Sequence, residues 1–308
     1  MRRLVEHYNR RDVLDAFLFI SPWLLSFLLL TLGPLLFSLY LSFCHWDGGS
    51  LDRLNWVGLA NYKRLLFEDH RVRVSLYNTA YYSLISVPVG VVLALLLAMA
   101  LNQNVKGIIF FRTIFYLPKV VGGPATVVLW AWLFNPAFGP LNTFLGMIGV
   151  PAEWRPGWLN SEVWSKPALI IMSLWSIGGS MLIYLAGLQN VPRQLYEAAE
   201  IDGAGEVGKF FSVTVPMMTP TIFFNLVISI IGSMQVFAQA YLMTNRTLGD
   251  PNESTLFYMI YLFRKAFEDW EMGYACAMAW LLFGIILGLT LLVLESTPFW
   301  VHYEGEKK

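Results

Sequence analysis

A chain of 308 residues that is 56% hydrophobic and only 14% charged, with a mean hydropathy of +0.55, has too little polar surface to cover a soluble globule and is expected in a lipid bilayer. Lysine plus arginine equals aspartate plus glutamate at 21 each, so no basic excess indicates nucleic-acid binding. Four scattered histidines and two cysteines, Cys44 and Cys276, argue against a metal site or a disulfide framework.

Six apolar stretches are long enough to cross the hydrocarbon core, which takes roughly 20 residues of helix. In chain order they are 16–43, 75–101, 108–134, 168–188, 216–243 and 272–294. The first has no A-x-A cleavage site, so we expect an anchor and not a cleaved signal peptide. Pro118 and the pair Gly122-Gly123 are expected to bend the third stretch. The sequence therefore predicts an all-α polytopic membrane protein with both termini on one side.

The distribution of positive charge does not decide which side of the membrane holds the termini. If the termini are inside, ten of the 21 lysines and arginines lie in inner segments, which is no clear margin under the positive-inside rule. Four arginines precede the first span and favour an inside N-terminus: Arg2, Arg3, Arg10 and Arg11.

The interiors of the second, fourth, fifth and sixth spans contain no Asp, Glu, Lys, Arg or His side chain. A carrier coupled to protons or ions normally keeps such groups within its helices, where they are too unfavourable to be accidental. Lys119 in the third span is the exception, and its long stem could reach the interface or line a wet cavity. A pore, or a permease powered by another protein, therefore fits better than an ion-coupled carrier.

The segment 190–216, between the fourth and fifth spans, predicts a short helix outside the membrane. Pro192 suits its first turn, and Gly203 is expected to end it because glycine readily adopts the left-handed conformation after a helix. One face would carry residues at three- and four-residue spacing: Leu195, Ala198, Ala199 and Asp202. Such a small-residue face permits close docking of another protein, and an ordinary solvated loop helix is the alternative interpretation.

The stretch 203–210, GAGEVGKF, is one residue short of a phosphate-binding loop. Phe210 stands where a Ser or Thr hydroxyl would hold Mg²⁺, and the preceding residues predict a helix and not the strand that such a loop follows. No second nucleotide motif occurs in the chain. We therefore expect no catalytic residues and no ATP or Mg²⁺ bound by this chain.

Uncharged polar residues mark a candidate path through the membrane. On the fifth span they follow a four-residue step and an adjoining arc: Asn225, Ser229, Ser233, Gln235 and Gln239. We expect this polar stripe to face a cavity, and Trp175 in the fourth span could stack on a sugar ring. The alternatives are hydrogen bonding within the helix bundle for the stripe and core packing for Trp175.

Glu197-Ala198-Ala199, then three residues, Gly203, nine residues and VTVP at 213–216, resembles the EAA signature of bacterial ABC-importer permeases, E-A-A-x₃-G-x₉-I-x-L-P. Val213 and Val215 replace the Ile and Leu of that signature. The resemblance covers nearly the whole chain, and four stretches look like the carbohydrate-uptake branch with its maltose-type and glycerol-3-phosphate-type permeases: 56–66, 78–98, 111–121 and 135–142. Lys119 departs from that branch, in which a smaller residue is expected.

This resemblance implies a type I ABC importer permease fold with six transmembrane helices in the bacterial inner membrane and both termini cytoplasmic. Residues 1–308 would form one permease domain, with a tail, first span and outer loop at 1–74, a five-helix core at 75–295 and a cytoplasmic tail at 296–308. The coupling helix between the fourth and fifth spans would dock on an ATPase subunit through Glu197, Ala198, Ala199, Asp202 and Gly203.

The resemblance also implies partners: a second, related permease that completes a heterodimer, two nucleotide-binding subunits that hold ATP and Mg²⁺, and an extracytoplasmic solute-binding protein. The binding protein would dock on outer loops such as 135–164 and 244–271. Closure of the ATPase subunits would rock the two permeases around a midplane site and carry a carbohydrate inward, whether an oligosaccharide, a disaccharide or a sugar or glycerol phosphate. A permease for a non-sugar solute and an autonomous channel remain the alternatives.

Overall fold

The computed structural model describes residues 10–103, 105–244, 247 and 249–302. The charged ends of the chain, with Arg2, Arg3, Lys307 and Lys308, lie outside the described residues. In chain order the helices and strands are α1 (Arg10–Ser26), α2 (Gly33–Ser42), β1 (Cys44–His45), β2 (Asn55–Trp56), α3 (Ala60–Lys63), α4 (His70–Leu101), α5 (Ile108–Val120), α6 (Gly123–Leu133), α7 (Pro140–Met147), α8 (Ser165–Leu174), α9 (Gly178–Gln189), α10 (Arg193–Ile201), α11 (Glu206–Lys209), α12 (Val215–Met234), α13 (Ala238–Met243), α14 (Tyr258–Phe267) and α15 (Met272–Trp300). Turns of π-helix occupy Phe27–Leu32, Arg64–Glu68 and Phe210–Thr214, and short 3₁₀ turns occupy Leu51–Arg53, Ala152–Trp154 and Trp158–Asn160.

Four continuous helices in the described part of the chain are long and apolar enough to cross a membrane: Leu14–Ser42, His70–Leu101, Glu206–Met234 and Met272–Trp300. Two bent pairs, α5 with α6 and α8 with α9, meet the same criteria when each pair is treated as one span. The protein is therefore a mainly helical, multi-pass membrane protein with four candidate membrane helices, or up to six if each bent pair crosses once.

The bend predicted in the third span is present, because α5 and α6 meet at 99° next to Gly122, whose backbone is extended. The fourth span was predicted as one helix and is instead broken by 44° between α8 and α9. There the amides of Trp175, Ser176 and Ile177 bond to carbonyls three residues back, which tightens the chain into a 3₁₀ turn. No proline marks this break, although Gly178 and Gly179 follow it directly.

The predicted extent of the fifth span, 216–243, is also wrong. The helix starts earlier, at Glu206, and stops at Met234, after which the chain turns at 235–237 before α13. The Gln235 amide bonds to Gly232, three residues back, and Phe237 leaves the helical region with φ −140° and ψ −71°. Apolar residues on both sides of the turn hide it from a hydropathy pattern.

One of two compact units comprises Met1–Glu68 and Phe263–Leu281. Within it the strands β1 and β2 pair antiparallel with Cys44 opposite Trp56, a small departure from the predicted all-α architecture. Asn61 donates hydrogen bonds to the Ser42 and Cys44 carbonyls at 2.9 and 2.8 Å, and so fixes the chain where it leaves α2. Cys44 is fully buried, as expected for a small apolar residue, and Cys276 is half-buried.

The other unit comprises Asp69–Leu262 and Leu282–Lys308, and its core holds the candidate site. Helix α4 packs against α8, α9 and α12. The fully buried Ala94 and Ala98 on α4 leave room for α9 to approach closely, as small residues do between membrane helices. The buried cluster that results contains Ala94, Leu95, Ala98, Leu101, Met181, Tyr184, Leu185, Leu188 and Met218.

Candidate translocation cavity and coupling helix

A cavity of about 600 Å³ lies beside this core. Its lining comes from α4, α5, α8, α9, α12 and α13, from the break between α8 and α9 and from the turn that precedes α13. The uncharged polar side chains that line it are Tyr82, Ser86, Ser173, Ser176, Ser180, Ser229, Ser233, Gln235 and Gln239. Hydroxyl and amide groups both donate and accept hydrogen bonds, so the cavity can bind a solute that is itself rich in hydroxyl groups.

Helical periodicity and the two helix breaks bring these side chains together. Tyr82 and Ser86 lie one turn apart on α4, and Ser229 and Ser233 lie one turn apart on α12. The break between α8 and α9 places Ser176 at the cavity, and the turn after α12 does the same for Gln235.

Four of the five predicted stripe residues line the cavity, namely Ser229, Ser233, Gln235 and Gln239. Asn225 does not line it: its side chain is buried and its Nδ2 donates to the Thr221 carbonyl at 3.1 Å, so the alternative of bonding within the bundle holds there. Trp175 does not line the cavity either, and its ring meets that of Trp130 edge to face at 5.6 Å between centroids.

The serines of the fourth span and Tyr82 also line the cavity, although the polar stripe predicted from the sequence does not include them. Ser173, Ser176 and Ser180 recur at three- and four-residue steps, which is the spacing of one helical face and the signal that could have found them. Ser173 Oγ donates a hydrogen bond to the Ile170 carbonyl at 2.7 Å, one turn earlier in α8. Across the bundle Ser233 Oγ lies 2.6 Å from Ser83 Oγ.

Lys119 is the one charged side chain among the lining residues of this cavity. A second hollow of about 260 Å³ shares six lining residues with the first, and Lys119 is again its one charged member. The lysine lies in the last turn of α5, where the helix dipole favours a positive charge. Its stem runs over Gly179, with Cε 3.6 Å from the point that a Cβ of that glycine would occupy.

A cysteine placed at position 119 is expected to react with a membrane-impermeant thiol reagent, because this side chain is exposed and lines the cavity. The variant to test is Lys119→Cys in a background lacking Cys44 and Cys276, and its control is Ala94→Cys, whose position is fully buried. Labelling measured by gel shift should be at least several-fold faster at 119. Equal rates at the two positions would contradict a water-filled cavity at Lys119.

The helix α10 ends as the sequence predicts. Gly203 has φ +82°, in the left-handed region, and its N–H bonds to the Glu200 carbonyl at 3.0 Å. The next N–H, of Ala204, bonds to the Ala199 carbonyl at 2.9 Å. These two bonds form a Schellman motif, which satisfies carbonyls that a helix end otherwise leaves open.

The outward surface of α10 and the following turn carries exposed apolar side chains. Leu195 is 38%, Ile201 87% and Val207 72% exposed. Ala198 is exposed and Ala199 half-buried, so the predicted small-residue face is only partly open. Glu197 pairs with Arg193 at 3.3 Å on the surface, where such a pair contributes little stability. Ile201 and Val207 are not among the residues predicted from the sequence, because apolar residues that occur singly are common on protein surfaces.

Two contacts attach α10 to the helix that carries the cavity serines. The Tyr196 hydroxyl lies 3.1 Å from Thr214 Oγ1, and Lys209 Nζ lies 3.6 Å from Glu200 and 3.2 Å from Glu206. Lys209 occupies the lysine position of the P-loop-like stretch, and its two partners are the carboxylates of Glu200 on α10 and Glu206 on α11.

Among the residues that the structure describes, no group of three or more His, Cys, Asp or Glu side chains is placed to hold a metal ion.

Comparison with known proteins places this architecture in a family. Residues 86–297 match the model of the family "Binding-protein-dependent transport system inner membrane component". The chain is 39% identical to the "Probable ABC transporter permease protein YesP" of Bacillus subtilis (strain 168), over 97% of this chain and 95% of that protein. It is 34% identical to the lactose transport system permease protein LacF of Rhizobium radiobacter, over 90% of this chain and 92% of that one.

A solved structure shares the fold. A chain of a bacterial alginate ABC transporter, in complex with an alginate pentasaccharide-bound periplasmic protein, superposes with a TM-score of 0.79 at 22% identity, over 94% of this chain and 95% of that chain. The matched family model spans more than half of this protein and the two named relatives align over nearly all of it. The protein belongs to the binding-protein-dependent transport system inner membrane components, the permease family of ABC transporters.

Proposed function

We propose that this permease moves a carbohydrate into the cell through the cavity beside α4, α9 and α12. The observation that carries the proposal is the lining, in which nine hydroxyl- or amide-bearing side chains converge on one space. Sugars present many hydroxyl groups and are bound by such convergent polar groups in a concave site. LacF, a relative of similar length, is a lactose transport permease by name, which supports the same class of cargo.

The coupling role belongs to α10. Leu195, Ile201 and Val207 are exposed apolar side chains on α10 and α11, close in sequence to Glu197, Ala198 and Gly203 of the EAA-like motif, and we assign the docking partner of α10 as an ATPase subunit. ATP and Mg²⁺ would then be bound and hydrolysed by that subunit. Tyr196–Thr214 and Lys209–Glu200 would carry its movement to α12.

The remaining parts of the proposal concern assembly and orientation. The two bent pairs each cross the membrane once, which gives six spans and puts both termini and α10 in the cytoplasm. A second, related permease completes a heterodimer, and an extracytoplasmic binding protein delivers the sugar to the opposite face.

Purification of this chain in mild detergent from cells that express its genomic neighbours tests the proposal. We expect it to co-purify with a second permease and an ATPase, and we expect a binding protein loaded with sugar to stimulate ATP hydrolysis several-fold in proteoliposomes. ATP-independent solute flux by the purified chain would contradict the importer and favour a channel. Stimulation by amino acids but by no sugar would contradict the cargo alone.

A further inference from the structure

We propose that the carried sugar bears a carboxylate and that Lys119 is the specificity-determining residue that pairs with it. This inference rests on the proposed function and adds to it the chemical class of the cargo, a uronate-type sugar. Lys119 is a cation in a cavity whose other lining residues are uncharged.

Lys119 lies at a depth in the membrane where a charged side chain without a role is energetically unfavourable. It lies two residues before the break between α5 and α6, near the middle of that bent span. Ionisable side chains at membrane depth are rare and face a cavity or a partner, because their burial in hydrocarbon is unfavourable by several kcal/mol. The Lys119 side chain is exposed and lines both hollows, so it faces the space in which a solute would lie.

The structure supplies this lysine with no counter-ion of its own. Within the described residues no carboxylate lies within the 4.0 Å of an ion pair with Lys119, and neither cavity lining includes an aspartate or glutamate. By contrast Lys209 and Lys265, in other parts of the chain, each pair with two carboxylates. The charge at position 119 is therefore available to a ligand.

The surroundings of Lys119 suit a cationic side chain. The last carbonyls of α5 favour a cation in that turn. The stem lies against Gly179, with three Lys119 side-chain carbons 3.6 to 3.8 Å from the point that a Cβ would occupy, which is an ordinary contact distance. The stem can thus lie along α9 while the ammonium stands among the hydroxyls of Ser173 and Ser176 and the amide of Gln239, which line the same two hollows.

The arrangement favours a carboxylate over a phosphate. A lysine is a compact point charge, so one lysine balances one negative charge. A phosphate monoester is nearly dianionic near neutral pH, so binding it well would take further donors beside the lysine, such as an arginine fork or the amides of a helix N-terminus. The lining residues include no arginine, and Lys119 lies near a helix C-terminus. The neutral hydroxyls and amides then bind the rest of the sugar.

The experiment uses the whole transporter with its partner permease, ATPase and binding protein in proteoliposomes. The probes are a neutral disaccharide, a disaccharide with one uronate and a disaccharide phosphate. In Lys119→Gln we expect kcat/KM for uronate-stimulated ATP hydrolysis to fall roughly 10- to 100-fold, as expected for a lost charged hydrogen bond, while any neutral-sugar activity changes less than about twofold. Lys119→Arg should retain most uronate activity, and Lys106→Gln, an exposed lysine outside the cavity, should match wild type.

A second measurement separates charge from folding. The Lys119→Cys protein, once assembled, is treated with a 2-aminoethyl thiosulfonate, which restores a positive side chain, or with a methyl thiosulfonate, which does not. Recovery of uronate transport with the first reagent alone supports the inference. Equal recovery with both, an unchanged uronate-to-neutral ratio in Lys119→Gln, or a preference for the phosphate overturns it while the sugar importer stands. Failure of all three sugars to stimulate wild-type ATP hydrolysis overturns the proposed function and this inference together.

Discussion

Ile201→Asp is expected to abolish coupled transport while leaving a folded permease in the membrane. The Ile201 side chain is 87% exposed, so the change removes little packing within this chain. A charge introduced into an apolar docking surface, however, is expected to cost at least about 2 kcal/mol of binding, as at interface hot spots, and so to weaken ATPase docking roughly 30-fold. Sugar-stimulated ATP hydrolysis in proteoliposomes and co-purification of the ATPase measure the effect.

Two further variants, Gly203→Asp and Glu197→Lys, test docking through α10 by changing its end and its charge. Gly203→Asp forces a side chain into the left-handed conformation at φ +82° and disturbs the end of α10, and Glu197→Lys reverses a charge on the exposed face. Both are expected to uncouple uptake with normal insertion. Leu51→Asp, which alters another exposed apolar residue in the first loop, is the matched control and should transport normally. Full uptake by all three α10 variants would rule out docking through this helix.

Gly178→Ala is expected to destabilise the permease strongly, by about 1 to 3 kcal/mol or more, as overpacked cores do. A Cβ at this position would overlap the Phe115 carbonyl oxygen and would lie 2.9 Å from the Tyr116 Cα. Both are backbone atoms of α5, so the helices α5 and α9 would have to separate.

The midpoint of thermal unfolding in detergent, followed by tryptophan fluorescence, measures this loss. Gly284→Ala is the matched control, because a Cβ there meets nothing within 4 Å and the glycine lies inside α15. Alanine favours a helix over glycine by up to about 1 kcal/mol, so the control should be unchanged or slightly stabilised. Similar midpoints for the two variants would show that α5 and α9 are not packed as closely as the structure has them.

The sequence predicted those elements whose signals are local. The apolar lengths of α4 and α15 are long enough to identify both as spans, and Gly203 ends α10 because the left-handed turn needs little more than the glycine itself. The bend near Gly122 follows in the same way from Pro118 and two adjacent glycines. In each case the residues that determine the feature are neighbours in the chain.

The breaks at 175–177 and 235–237 could not be predicted in that way. Hydropathy averages over a window and does not register whether an amide bonds to the carbonyl three or four residues back. The candidate site depends on both breaks: helical spacing puts Ser229 and Ser233 on one face of α12, whereas Ser176 and Gln235 line the cavity at the breaks themselves. Asn225 was predicted to face the cavity because it continues the four-residue step of the serines. Its side chain is instead buried and bonds to the Thr221 carbonyl within the same helix.

The continuity of Glu206–Met234 has a mechanical consequence. At 1.5 Å per residue this 29-residue helix is about 43 Å long, and Ser229 lies about 35 Å from the end that touches α10. The contacts that join it to α10, Tyr196–Thr214 and Lys209–Glu200, lie near its N-terminal end. A rotation of this rigid helix about that end therefore moves its far end the most. A tilt of about 10° at that end displaces Ser229 by about 6 Å along the arc, roughly one helical pitch. A small tilt of this helix, imposed by the ATPase at the end next to α10, would thus move Ser229 in the cavity by about the width of a sugar ring.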